Sequence, residues 1–306
     1  MGNIVRRILE TILSVEFIMG VLGNGFITVV NCMDWVKRRK ISSADQILTA
    51  LAISRSGQLW SLLINALICV LYPGVFMSRK MIRIMTATWT VTNHFSIWLA
   101  ASLSIFYFLK IANFSNSLFL YLKWRVKKVV SVILLVSLVL LFLNIVSVNT
   151  QIEVWIGGYK GTLSNSSSLN NTAQFSRPLS FINIMFTFIP FTVSLMTFLL
   201  LIFSLRMQHK ARGPRDASTT AHVKALQTVT AFLLLHTTFL FSRVIQISNS
   251  ELISNKLVLC IGLVIGAAFP SGHSFVLILR THKLKQASRS VLWWLRSRSQ
   301  DFWGHV

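Results

Sequence analysis

Charge is scarce in this chain, and acid is scarcer still. Only 12% of its 306 residues are Asp, Glu, Lys or Arg, and eight of them are acidic. A soluble domain of this size carries roughly twice that charged fraction, so a single water-solvated globule is excluded. Cysteine is limited to Cys32, Cys69 and Cys260, each inside an apolar run; no disulfide is expected. No Ser/His/Asp set, metal-ligand cluster or phosphate loop is present, so no catalytic residue, metal site or cofactor is expected. No repeat, low-complexity tract or soluble domain breaks the chain. A cleavable signal peptide is also missing, because the first apolar stretch is too long and has no small-residue cleavage site.

What is present is apolar sequence in long blocks. The composition is 54% hydrophobic with a mean hydropathy of +0.65. Seven blocks are long enough to cross a bilayer, approximately at 8–31, 46–71, 82–109, 129–148, 181–205, 225–247 and 257–279. The expected fold is therefore an all-α membrane protein, one seven-transmembrane helix bundle over 1–306, with 280–306 as a tail. The stretch Asn149–Ser180, rich in Ser, Asn and Gly, reads as the one long loop.

The net charge of +22 does not point to nucleic acid. Its basic residues sit in short clusters between spans, as the positive-inside rule produces. Lys37–Lys40, Lys110–Lys128, Arg206–Lys224 and Arg280–Arg298 hold 20 of the 30 basic residues and fall on one side. That bias puts the N-terminus outside and the C-terminus in the cytoplasm. The sequons agree with it. Asn165 and Asn170 fall in the outer loop and are expected to carry glycan, whereas Asn113 falls inside and is not.

Several residues are out of place in an apolar span. Span three has no charge from Ile84 to Leu109, yet it holds Trp89, Asn93, His94, Ser96, Ser102 and Ser104. Such a span belongs inside the bundle, with protein around it. Trp89 and Asn93 stand at i and i+4, so they share a face. They are candidates for a ligand wall, with Phe186 of span five opposite. His94, 100° further round, either joins that wall or packs on a neighbour. Glu16, Gly20 and Asn24 share a face of span one. Arg55 is a charge in mid-span and needs partners. Asn24, Arg55 and Ser271 each lie ~14 Å from the cytoplasmic edge at 1.5 Å per residue. They are expected to form a polar layer linking spans one, two and seven. Pro190 and Pro270 each interrupt a span and permit a kink. Pro270-Ser-Gly-His273 is one motif of membrane lipid phosphatases, but that family's two other motifs are not met, so an enzyme is not expected.

Six stretches then match one family: EFIMGVLGNGFI, LTALAISRSGQLW, NHFSIWLAASLSIFYFLKIANFS, IPFTVSLMTFLLLIFSL, HVKALQTVTAFLLL and PSGHSFVLILRTHKLKQ. The chain resembles the type 2, or bitter, taste receptors along almost its whole length. That resemblance implies a G-protein-coupled receptor of the plasma membrane. It would bind small bitter compounds in an outer transmembrane cavity. It would couple through a gustducin-type heterotrimeric G protein to phospholipase C and a cation channel. It places Phe239 and Leu263 in the ligand walls, and Tyr107, Lys110, Ala112 and His222 at the G-protein contact. Some family members carry an acid where Leu263 stands. With no acid in the outer halves of spans three, five, six or seven, neutral ligands are expected. Anionic membrane lipid is the other expected partner of the basic rim. The alternative class, a small transporter or channel, lacks an inverted repeat and paired intramembrane acids.

Overall fold

The computed structural model describes residues 2–38, 41–76, 78–161, 168–212, 217–248 and 256–303. Among them there is no strand. Ten helices follow one another: α1 Gly2–Arg38, α2 Ser43–Leu71, α3 Pro73–Phe76, α4 Arg79–Ile111, α5 Ser117–Trp124, α6 Val126–Gly161, α7 Ser168–Arg212, α8 Ala217–Ser248, α9 Lys256–Arg280 and α10 His282–Trp303. Seven of them, α1, α2, α4, α6, α7, α8 and α9, are long and apolar enough to cross a membrane. The chain is a multi-pass membrane protein, and each expected span lies within one of these helices.

The helix starts are set by ordinary capping chemistry. Ser42 accepts from the Asp45 amide at 3.1 Å, Ser78 from Met81 at 3.3 Å and Asn116 from Leu118 at 2.9 Å. Each removes one of the orphan donors of a first turn. Both prolines are carried inside continuous helix. The hydroxyls of Ser194 and Ser274 donate back to the carbonyls of Pro190 and Pro270 at 2.9 and 2.8 Å.

Helix α4 is the axis of the bundle. Of its apolar window 72% is buried, against 22–50% in the other six spans. It packs on α2, α6, α7 and α8, and Ser96, Ser102 and Ser104 are buried along it. The polarity of this stretch is thus absorbed inside protein, as its sequence requires.

The expected long loop at 149–180 is a correction. Helix α6 runs on to Gly161 and α7 begins at Ser168. Ile152 is buried with Val148 against Ile82 and Ile182, and Glu153 pairs with Arg79 and Arg83 at the start of α4. Apolar packing and an ion cluster hold helical a stretch whose composition reads as loop. Three further helices have no counterpart in the span count: α3, between α2 and α4, α5, between α4 and α6, and α10, in the tail. Asn165 lies outside the described residues, as does the side chain of Asn170.

Candidate ligand-binding site

Two regions hold the residues singled out by sequence. The first is the seam of α1, α2 and α9. Gly20 faces α9 and α2: a Cβ there would stand 2.6 Å from Leu59 Cδ1 and closer still to Ser271 Oγ. Only glycine lets the helices approach this far. Asn24 Nδ2 donates to the Gly20 carbonyl at 2.8 Å and to that of Pro270 at 3.3 Å. Ser271 Oγ donates to the Glu16 carbonyl at 2.9 Å. Two turns towards the basic end, Asn31 Nδ2 donates to Thr49 Oγ1 at 3.1 Å.

Arg55 is fully buried at the side of this seam, but it makes no hydrogen bond to Asn24 or Ser271. None of its guanidinium nitrogens has a hydrogen-bond partner. The guanidinium lies 5.4 Å from the Phe269 ring centroid. That ring in turn meets His236 at 5.4 Å and Phe239 at 5.9 Å. The three spans are joined by side chains that bond backbone or side-chain oxygens of a facing helix, and Arg55 reaches α8 through an aromatic cluster. His273, which the phosphatase-like motif singled out, is buried in the same cluster against Phe232 at 5.6 Å.

The second region is a cleft between α4, α6 and α7. Thr90, Asn93, His94, Ile97, Trp98, Asn144, Phe186, Thr187 and Pro190 line it, and its volume is about 10 Å³. That is room for roughly one water molecule. The cleft brings together Asn93, His94 and Phe186, three of the six residues expected to touch ligand. Trp89 lies one turn from Asn93 and is half-buried against the core. Phe239 is buried in the aromatic cluster around Phe269, and Leu263 is half-buried on α9; neither lines the cleft. Asn93 Oδ1 accepts from Gln58 Nε2 of α2 at 3.2 Å, which ties the cleft back to the seam helices.

These two regions lie in a bundle whose family can be stated. The family model described as taste receptor protein (TAS2R) matches residues 1–296. The chain belongs to that family. It is 59% identical over 290 residues to taste receptor type 2 member 140 of Rattus norvegicus, covering 93% of each chain. It is 54% identical over 303 residues to taste receptor type 2 member 14 of Macaca mulatta, covering 97% of this chain and 95% of that one. With human taste receptor type 2 member 14 the identity is 51% over 306 residues, covering 98% and 96%.

In this taste-receptor chain, sequence reasoning missed Asn144, Thr90 and Thr187. The signal for Asn144 was available: it is a buried amide in the most apolar of the seven spans, and a polar group in such a helix marks a contact with protein. At the basic end, Tyr107 is half-buried and Lys110 exposed. Ala112 is buried in the turn that ends α4, where its carbonyl accepts from Lys123 Nζ at 2.8 Å. The side chain of His222 lies outside the described residues. Helix α5 adds an exposed apolar face there, Leu118, Tyr121 and Trp124.

Proposed function

We propose that this chain is a plasma-membrane bitter taste receptor, with its N-terminus outside and its C-terminus in the cytoplasm. Small bitter compounds bind where Trp89, Asn93, His94 and Phe186 converge, with Phe239 and Leu263 reached as the cavity widens. A gustducin-type heterotrimeric G protein binds at the basic end, around Tyr107, Lys110, the Ala112 turn and His222, and passes the signal to phospholipase C and a cation channel. The observation that carries this reading is the family match over almost the whole chain, together with 51–59% identity to named taste receptors.

The cleft supports the ligand assignment. It combines apolar walls with a few converging polar groups, as small-molecule sites do. At about 10 Å³ it holds no whole ligand; a ligand enters by parting α4 from α7, and that adjustment is the event the basic end senses. Charge supports the neutral preference. Glu153, near the outer mouth, is already paired with Arg79 and Arg83, and Glu251 lies outside the described residues. Arg55, Asn24 and Ser271 serve as frame rather than as ligand contacts. Asn165 and Asn170 are glycosylation sites, and the bundle acts as one domain.

The test is calcium release in cells that express the chain with a gustducin-type G protein and are challenged with a panel of bitter compounds. Asn93→Ala should raise the half-maximal concentration of the best agonist about tenfold, since a lost buried hydrogen bond is worth ~1–1.5 kcal/mol. Lys110→Ala should lower G-protein activation at unchanged surface level. A screen won by permanent cations whose potency ignores both Trp89 and Asn93 would overturn the site.

A further inference from the structure

Most polar groups around the α4/α6/α7 cleft are committed to partners. Thr90 Oγ1 donates to Asn183 Oδ1 at 3.4 Å, and Thr187 Oγ1 donates to the Asn183 carbonyl at 2.6 Å. Asn93 Oδ1 is taken by Gln58. Two atoms are left over. Asn144 Oδ1 and His94 Nε2 are buried and have no hydrogen-bond partner, on side chains only 4% and 5% exposed. Both residues line the same cleft. Leaving such groups dry and unpaired is costly.

The chemistry of the two atoms agrees. An amide oxygen only accepts. The His94 ring lies beside the Ser137 backbone of α6. A ring nitrogen facing a carbonyl is the protonated one, so in the neutral imidazole the free nitrogen is the acceptor. The residues that carry these two acceptors line a space of about 10 Å³. The group that suits them is small, neutral and donates hydrogen bonds.

We propose that the cleft beside Asn144 and His94 is a subsite for one neutral donor substituent of the ligand, a hydroxyl or an amino group bound to an aromatic ring or an acyl carbon. The ligand body lies towards Trp89 and Phe186, and the substituent enters between α4 and α6. Span four thus takes part in selecting agonists. A hydroxyl satisfies one of the two acceptors and an amino group both. An ether at the same position has no proton to give and is too large for the space. The proposal rests on the receptor reading above, and it goes further by naming the chemical class of agonist and a selecting residue on α6.

The test uses matched sets of aromatic bitter compounds that carry –NH2, –OH, –H or –OCH3 at one ring position. Calcium release is read in cells expressing the native chain, Asn144→Leu, Asn144→Ser or His94→Phe. The native chain should favour the amino and hydroxyl members over the others by about tenfold, the value of one buried hydrogen bond. Asn144→Leu should shrink that ratio to within about twofold. Because the ratio is taken within one cell line, it does not depend on surface level. If Asn144→Leu is silent towards every compound, Asn144→Ser and His94→Phe report the same ratio. An unchanged ratio in all responsive variants, or a native preference for the ether, overturns the subsite while leaving the receptor reading intact. A native chain that answers none of the compounds overturns that reading instead.

Discussion

The seam of α1, α2 and α9 and the cleft of α4, α6 and α7 differ in how closely their helices pack. Along the seam, side chains of one helix bond backbone or side-chain oxygens of another: Asn24 to Pro270, Ser271 to Glu16 and Asn31 to Thr49. The helices are close enough for glycine to be required at position 20. Around the cleft, buried groups are left without partners and a small space remains open. The seam too holds buried oxygens without hydrogen-bond partners, Glu16 Oε2, Asn24 Oδ1 and Asn31 Oδ1, so close packing rather than complete bonding fixes its arrangement. A cleft with open space can exchange its present contacts for those of a ligand, because unpaired buried groups beside that space gain from new partners. The difference assigns the frame to one side of the bundle and adaptability to the other. Arg55 stands between the two, bonded to neither and stacked on the ring that leads to α8.

The comparison breaks first at Gly20. Gly20→Val places new carbon against Leu59 and Ser271, both within contact distance of a Cβ. Overpacking of that kind costs ~1–3 kcal/mol, enough to lower surface level several-fold. Gly23→Ala is the milder control, since its nearest neighbour, Ser274 Cβ, would stand at 3.3 Å. Flow cytometry of an extracellular tag ranks the two, and equal surface levels would mean that the seam is not the frame. Next comes Arg55→Leu, which removes the cation over the Phe269 ring and should impair surface level or signalling at a cost of about 2 kcal/mol, the value of a desolvated cation–π contact. Arg55→Lys should not rescue it, because an ammonium lacks the planar face that stacks on Phe269. A leucine variant normal in both readouts would make the arginine dispensable to frame and cleft alike. Asn24→Ala removes one bond between α1 and α9 and should cost ~1 kcal/mol, seen as a lower melting temperature of the purified receptor with agonist potency unchanged. A shift in potency instead would show that the seam is part of the binding device.

Much of this division was legible in the sequence. The 4-residue spacing of Glu16, Gly20 and Asn24 announced a close, polar helix contact. The buried position of α4 followed from the polarity of an otherwise uncharged span. Arg55 was legible as buried, but its partners were not, because depth along a helix does not fix the direction in which a long side chain turns. Asn24 and Ser271 use backbone carbonyls of the facing helix, which no residue pattern displays. Asn144 was legible as a polar group that needs protein around it, but the apolar run that holds it does not show which helices it meets. The extension of α6 was masked by its composition: Asn149 to Gly161 reads as loop until Ile152 and Glu153 are seen to find partners on α4 and α7. Phe239 was placed by resemblance in the ligand wall. Its ring contacts in the structure are with His236 and Phe269, in the aromatic cluster that joins α8 to α9.

The smallest effect is expected where the seam ends at the basic face. Lys283 Nζ bridges Asp34 of α1 at 2.8 Å and Asp45 of α2 at 3.4 Å, and so pins the first turn of α10 beneath both helices. The three side chains are 16–29% exposed. Ion pairs in such positions are worth ~0.2–1 kcal/mol. Leu284, beside it, is fully buried, and the loss of a buried leucine side chain costs ~2–5 kcal/mol. If the frame is held by packing, Lys283→Met should leave surface level near that of the native chain, while Leu284→Ala lowers it. Salt sharpens the distinction. Screening shortens from ~10 Å at 0.1 M to ~3 Å at 1 M, so high salt should bring the melting temperature of the native receptor down towards that of Lys283→Met and leave the variant itself unmoved. A Lys283→Met loss as large as that of Gly20→Val would mean that charge, not close packing, holds the seam at this end.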